Sequence, residues 1–350
     1  MKAARIVEFN SPLVIENIPD PTPGPDDAVI RVEAAGICRS DWHTWKGDFS
    51  WLGLSPELPR VPGHEFGGEV VEIGKNVKDF KVGDKISAPF HYGCGHCSYC
   101  RGGRSNLCDH VTLYGTVSDG CYAEYLLIKD ADFNLVRLPE NIESVTAAAI
   151  GCRFMTGFHG VTRTNVKPGE YLAVHGAGGV GLSAIQSGRA AGALVIAVDI
   201  EEIKLEKAKE EGADFVINAK KENVLDAIKE ITKGGAHASI DALGIRETIL
   251  NSVSCLRKGG RHVQIGLTGS EEKGIVDLPI DVITASEIEV VGSLGNPHSD
   301  YDELLTLVSQ GRLNPRSLVE REVTIHDVNE VFENMTNFKT KGLNIITSFN

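Results

Sequence analysis

The chain has 350 residues, 42% hydrophobic and 24% charged, a globular composition that excludes a disordered chain and, at over twice the usual ~150 residues per domain, predicts two domains. The 35 basic and 48 acidic side chains leave a net charge of −13, which argues against a nucleic-acid or anionic-membrane partner. No apolar run approaches the ~18 residues of a membrane span, and Glu8 and Pro12 interrupt the start before a secretory core could form, so the expected compartment is the cytoplasm.

Residues 1 to about 150 carry short β-type runs such as Ala28–Val32 and Gly68–Ile73. Turn signals at Pro23-Gly24-Pro25 and Val82-Gly83-Asp84 separate such runs, which predicts irregular, mostly-β structure. From about 170 to 292 the rhythm changes. Apolar strands are expected at Tyr171–His175, Leu194–Val198, Phe215–Ile217, Ala238–Asp241, His262–Ile265 and Glu289–Val291. Helical segments at Glu201–Glu211, Asn223–Lys233 and Arg246–Leu256 lie between them, predicting βαβ units and a doubly wound parallel sheet with helices on both faces. The remainder is mixed, with a helix at Asp300–Gln310, and is expected to rejoin the first domain. The βαβ block then becomes an insertion with a cleft beside it, and the expected division is 1–153, 154–292 and 293–350.

Three constellations carry chemistry. In a reducing compartment the eight cysteines point to metal or catalysis rather than disulfides. Cys94, Cys97, Cys100 and Cys108 follow the spacing C-x2-C-x2-C-x7-C, which folds four thiolates round one tetrahedral zinc. Such a shell is closed, so this zinc is expected to be structural, in a lobe of about 91–110. His91 and His96 are read as bystanders.

Gly176-Ala177-Gly178-Gly179-Val180-Gly181 follows an expected strand and opens a helix, the context of a dinucleotide-binding turn. Its glycines make the turn, admit the pyrophosphate and let helix pack on strand, while the helix N-terminus faces the phosphates. Asp199 ends the next strand, where a carboxylate accepts from both ribose hydroxyls of NAD and repels the 2′-phosphate of NADP.

The third set is dispersed: Cys38, His64 in Gly63-His64-Glu65, and Cys152 in Gly151-Cys152-Arg153. Singly each is an ordinary core residue. Together they offer two thiols and an imidazole, a donor set that leaves a tetrahedral zinc one open position.

Cys38-Arg39-Ser40-Asp41-x-His43, Gly63-His64-Glu65-x-x-Gly68, the four-cysteine lobe, Gly151-Cys152 and the glycine turn with Asp199 occur in the order that marks a known family. The chain resembles the zinc-dependent medium-chain alcohol dehydrogenases of bacterial and archaeal type along essentially its whole length. The resemblance implies a Rossmann-type sheet, binding NAD, inserted into a GroES-like catalytic domain. It implies a catalytic zinc on Cys38, His64 and Cys152, with Glu65 able to approach the metal from behind and Asp41 orienting His64. It implies Ser40 and His43 as a proton relay, Arg39 as a pyrophosphate contact, Lys204 as a ribose contact and Phe90 as a wall of the substrate pocket. It also implies two zinc ions per chain and a homotetramer, or else a dimer. The family's C-terminal arginine toward the cofactor phosphate has no match in Lys341-Gly342-Leu343-Asn344-Ile345.

The charge arithmetic agrees with that chemistry. Two thiolates and a neutral imidazole bring a zinc site close to neutrality, and an alcohol at the open position is polarised so that its pKa falls. Hydride transfer to NAD then cancels a negative oxygen against a positive nicotinamide. Trp42, Trp45, Phe49, Trp51 and Phe90 suggest an apolar pocket for simple primary or secondary alcohols. Polyol and L-threonine dehydrogenases of the same family are the alternative, though their third ligand is typically Glu where Cys152 stands. A non-catalytic structural or binding protein on this fold is disfavoured because Ser40, His43 and every ligand are present.

Overall fold

The computed structural model describes every residue except Trp51, Leu52, Ser270 and Phe338, so Trp51 of the expected pocket lies outside the described residues. The chain divides into two compact units, Met1–Cys152 with Gly295–Asn350, and Arg153–Leu294.

The first unit is organised on strand Ala28–Ile37, which pairs antiparallel with Glu65–Ile73 on one edge and with Leu343–Ser348 and Tyr125–Ile128 on the other. Its side chains are buried on both faces except at Arg31 and Glu33, so the strand reads as a nearly continuous apolar run. Strand Val319–Thr324 runs parallel to Leu343–Ser348 at the margin of the same seven-stranded sheet. The C-terminal segment is thus built into the first unit. Helix Val328–Thr336 closes the core, burying Val328, Val331, Phe332 and Met335 at helical spacing against a cluster that includes Ile30, Phe66, Tyr122 and Ile346. The antiparallel register pairs Gly36 with Glu65, so the chain leaving one strand at Cys38 and the chain entering the other at His64 meet at one end of the sheet.

The second unit is a six-stranded parallel sheet in the order Phe215–Asn218, Leu194–Asp199, Tyr171–His175, Ala236–Asp241, Leu256–Gln264, Glu289–Gly292. That is the doubly wound order of a dinucleotide-binding fold, with the reversal beside Tyr171–His175. Ile196, Val198, Ile217, Val224 and Ile228 fill one of its cores. Among the described residues, no helix is long and apolar enough to cross a membrane.

Two local readings need correction. Helix Arg246–Ser254 stops before Leu256, and the next strand begins there rather than at His262. The stretch Arg257-Lys258-Gly259-Gly260 looks like a turn, but pairing with Ala236–Asp241 across a register shift draws it into the sheet. The mostly-β region also holds helix Arg39–Lys46, which the pattern alone did not announce. It is short and is fixed by its caps, Cys38 at one end and Gly47 in the left-handed region at φ 74° at the other.

Candidate active site and metal centres

The Cys38 and Cys152 thiols and the His64 imidazole place one ligand atom each within 4.8 Å of one another. Cys38 caps helix Arg39–Lys46, His64 precedes strand Glu65–Ile73, and Cys152 sits in the irregular turn Ile150–Phe154. Such a single wide turn is a common way to aim a functional side chain.

Asp41 ties two of these ligands together. One carboxylate oxygen accepts from His64 Nδ1 at 2.8 Å and from the Gly63 amide at 3.0 Å. The other accepts from the Cys38 amide at 3.0 Å, closing the helix capping box, and from the Tyr122 hydroxyl at 2.8 Å. The carboxylate is buried, so four hydrogen bonds hold it in one orientation. Burial pulls the His64 imidazole down, but the Asp41 charge outweighs it and holds His64 well above its usual range. With Nδ1 occupied, Nε2 is the nitrogen available to the cysteines. Gly63 has φ +100° and a Cβ there would stand 2.4 Å from the Tyr122 ring, so only glycine brings its amide to Asp41.

Glu65 is fully buried behind this centre. A Cβ on Gly36 would lie 2.5 Å from its Oε2, and a Cβ on Gly151 would lie 2.6 Å from its Cβ. The side chain is wedged against the backbone just before Cys38 and Cys152, which explains both glycines. Ser40 Oγ lies 3.7 Å from Cys38 Sγ. His43 Nδ1 bonds Asp48 Oδ2 at 2.8 Å at the surface, and Phe49 tilts against the His43 ring. Arg39 donates to the Met335 carbonyl at 2.6 Å, and its guanidinium stacks 3.9 Å from the Trp42 ring.

In the second unit the glycine turn joins strand Tyr171–His175 to helix Gly179–Ala190. A Cβ on Gly181 would collide with the Gly176 carbonyl oxygen at 1.7 Å, whereas one on Gly178 would meet nothing within 4 Å. The cradle is tight where helix meets turn and open where a pyrophosphate would approach the backbone. Asp199 is buried at the end of its strand, accepting from the Ala177 amide at 2.8 Å and from the Ile200 and Glu201 amides at 2.8 and 3.0 Å. These three bonds leave about one of its four acceptor positions, on the oxygen facing Ala177. Lys204 Nζ lies 3.9 Å from the other oxygen.

Cys94, Cys97, Cys100 and Cys108 form a separate group, again with ligand atoms within 4.8 Å. Cys97 and Cys108 sulfurs are 3.9 Å apart, close to the ~3.8 Å edge of a tetrahedron with 2.3 Å Zn–S bonds. Backbone amides point at the sulfurs: Cys97 to Cys94, Cys100 to Cys97, and Cys94 and His110 to Cys108. The amides of Cys100 and Asp109 pull the Cys97 thiol down to about 6, while burial pushes Cys100 up to about 12. A bound cation is what would make all four thiolates at once. His91 and His96 stand outside the group, bonded to the Asn296 and Cys94 carbonyls.

Comparison with known proteins agrees with this geometry. Residues 24–140 match the alcohol dehydrogenase GroES-like domain and residues 179–310 match the zinc-binding dehydrogenase domain. The chain is 36% identical over 353 aligned positions to a NAD-dependent alcohol dehydrogenase of Sulfurisphaera tokodaii, covering 99% of both chains. It is 34% identical to an alcohol dehydrogenase of Geobacillus stearothermophilus, covering 98% of both. The chain belongs to the zinc-dependent medium-chain alcohol dehydrogenase family. Alcohol dehydrogenase TADH from Thermus sp. ATN1 shares the fold over 100% of both chains, with a TM-score of 0.93 at 30% identity.

Against this family's expected pocket, the aromatic residues divide. The Phe90 ring lies 6.0 Å from that of His64, edge-on to it. Trp42 is instead buried in the first core, bonded through Nε1 to Thr336 Oγ1. Trp45 packs on that core too, bonded to the Ser11 carbonyl at 2.6 Å and tilted on Phe332. Both indole N–H groups are thus bonded within the first unit, and the Trp42 ring carries the Arg39 guanidinium on one face. Sequence reasoning missed Tyr122, Asp48 and Gly36. Their partners lie far off in the chain or, for Asp48, in an unremarkable polar stretch, and no motif marks them.

Proposed function

We propose that this chain is a NAD-dependent alcohol dehydrogenase that interconverts simple primary or secondary alcohols with aldehydes or ketones. The observation that carries it is the Cys38–His64–Cys152 cluster, three donors with an Asp41-locked imidazole, beside a separate four-thiol group that accounts for the remaining zinc chemistry. The donor sets fit two zinc ions per chain, one in an open site and one in a closed site. The cradle at Gly178 fits a pyrophosphate, and the Asp199 carboxylate, with one acceptor position left, fits one ribose hydroxyl of NAD rather than both. The names of the full-length relatives support the same reading.

When bound, zinc lowers the pKa of an alcohol and NAD accepts the hydride. The protein's own groups supply the rest. Cys38, His64 and Cys152 hold the metal, and Asp41 keeps His64 in the tautomer that leaves Nε2 free to bind it. Ser40 Oγ, next to Cys38, takes the substrate hydroxyl proton and passes it outward. His43, oriented by Asp48, delivers that proton to solvent. Arg39 and Lys204 add positive charge toward the cofactor phosphates and ribose, and Asp199 opposes a 2′-phosphate. Glu65 backs the metal site, and Phe90 forms an apolar wall beside it. A homotetramer in the cytoplasm completes the proposal.

The test is spectrophotometric. NAD reduction across a panel of alcohols, polyols and threonine, on protein of measured zinc content, should show turnover of simple alcohols. No turnover of any alcohol by zinc-loaded protein, or turnover that survives loss of all zinc, would overturn the proposal.

A further inference from the structure

Helix Arg39–Lys46 ends at Gly47, in the left-handed region at φ 74°. The Gly47 amide bonds the Thr44 carbonyl at 3.1 Å, and the Asp48 amide bonds the His43 carbonyl at 3.0 Å. Those two bonds make a Schellman turn, which folds Asp48 back beside His43, at a position that an apolar contact commonly fills. Here a carboxylate and an imidazole fill it. Asp48 Oδ2 lies 2.8 Å from His43 Nδ1, with the two side chains 41% and 35% exposed. A polar pair so exposed adds little to stability, and the turn already has its two backbone bonds. A carboxylate only accepts, so Nδ1 of the neutral ring carries the hydrogen and Nε2 the lone pair. The ring is flanked as well. Its centroid is 4.9 Å from that of the Trp42 ring, which stands nearly perpendicular to it, and 5.4 Å from that of Phe49. Trp42 is itself anchored through Nε1 to Thr336 Oγ1 at 2.8 Å.

We propose that Asp48 is a positioning residue of the proton relay, holding His43 in the tautomer that presents the Nε2 lone pair to the incoming proton. The proton from the substrate side adds at Nε2, the imidazolium keeps its bond to the Asp48 carboxylate, and Nε2 releases the proton to water. Without the carboxylate, neutral imidazole divides between two tautomers, and one of them has no lone pair at Nε2. The ring also gains freedom to turn about its Cβ–Cγ bond. This inference rests on the reading of His43 as the outer group of the relay.

The experiment places Asp48→Leu and Asp48→Glu in zinc-loaded wild type and in His43→Gln, at saturating NAD because the Asp48 charge also acts on Arg39. Leucine supplies the apolar contact usual in such a turn and removes the acceptor. It should lower kcat for alcohol oxidation by about 3- to 10-fold, part of the 10- to 100-fold expected of the imidazole itself, with KM for the alcohol unchanged. Glutamate, which keeps the acceptor, should recover part of that loss. In the His43→Gln background Asp48→Leu should cost nothing further, because a residue acting only through His43 has nothing left to position. With 15N-histidine labelling, the His43 signal is assigned by its absence in His43→Gln. It should report hydrogen at Nδ1 in wild type and hydrogen divided between the two nitrogens in Asp48→Leu. Asp48→Ala takes the place of the leucine variant if that one does not fold. Equal losses in the two backgrounds, no loss, or an unchanged tautomer would overturn the Asp48 assignment alone. Full activity of His43→Gln would overturn the relay reading, and this inference with it.

Discussion

Tyr122 donates its hydroxyl hydrogen to the Asp41 carboxylate at 2.8 Å, on the oxygen opposite the one that receives His64. The phenol is fully buried, and burial together with the Asp41 charge keeps it protonated, with its pKa well above the usual range. Tyr122→Phe keeps the ring that packs under Gly63 and deletes only this donor. Since removing a direct partner of a metal-binding histidine costs ~10- to 100-fold in metal affinity, removing a partner of that partner should cost less, about 3- to 10-fold. Chelator competition at the Cys38–His64–Cys152 site should show this, with the circular dichroism unchanged. Unaltered zinc affinity would mean that the other three bonds to Asp41 suffice.

The two metal centres should come apart under chelation. Stepwise treatment is expected to remove one zinc per chain together with all activity while the melting temperature changes little, because the three-donor site is incomplete without substrate or water. The second zinc should leave only as the 91–110 lobe unfolds. Cys97→Ser should therefore lower stability with little effect on KM for the alcohol. Elemental analysis finding one zinc or none in fully active enzyme would refute the two-centre assignment.

Cofactor choice should follow Asp199. Its carboxylate is pinned by the Ala177, Ile200 and Glu201 amides, so it cannot swing away from a 2′-phosphate. Wild type should have the higher kcat/KM with NAD, and Asp199→Gly should narrow or invert the preference while loosening the turn at Ala177. A wild-type preference for NADP would contradict the electrostatic argument.

The relay residues should differ in cost. Ser40→Ala removes the hydroxyl beside Cys38 and should lower kcat by orders of magnitude with zinc content intact. His43→Gln acts at the exposed end, where water can substitute, and should cost about 10- to 100-fold, the low end of general-base contributions. Small exogenous amines should restore part of the His43→Gln rate. Absence of rescue together with an unchanged pH profile would mean that the proton leaves by another path.

Acid should weaken the second unit through two buried histidines. Burial, with the neighbouring His262, lowers His175 from 6.5 to about 3, and burial lowers His262 to about 4. Below about pH 6.5 the unfolded chain takes up protons that the folded chain refuses, so stability falls as pH drops from there toward 4. His175→Leu should reduce the slope of unfolding free energy against pH in that window by about one proton. Denaturant titrations at pH 7.5, 6 and 5 would show it, and identical slopes would show that His175 takes no part.

The chemistry-bearing residue types and the class of fold are legible in local pattern alone. Local spacing is enough to mark Cys94, Cys97, Cys100 and Cys108, since all four ligands come from one short lobe, and enough to mark Gly176 to Gly181, since strand, turn and helix are consecutive. The strand–helix alternation from Tyr171 to Gly292 likewise follows from local hydrophobic period. Cys38, His64 and Cys152 were visible as residues, but their meeting depends on the register that pairs Gly36 with Glu65 and on the turn at Gly151. It took the packed chain to bond the Trp42 indole to Thr336 and to anchor Asp41 on Tyr122. The physical reason is the same in each case. A periodic pattern records which face of an element is apolar, whereas the partner of a polar or aromatic side chain is chosen by packing between segments that the chain order keeps far apart.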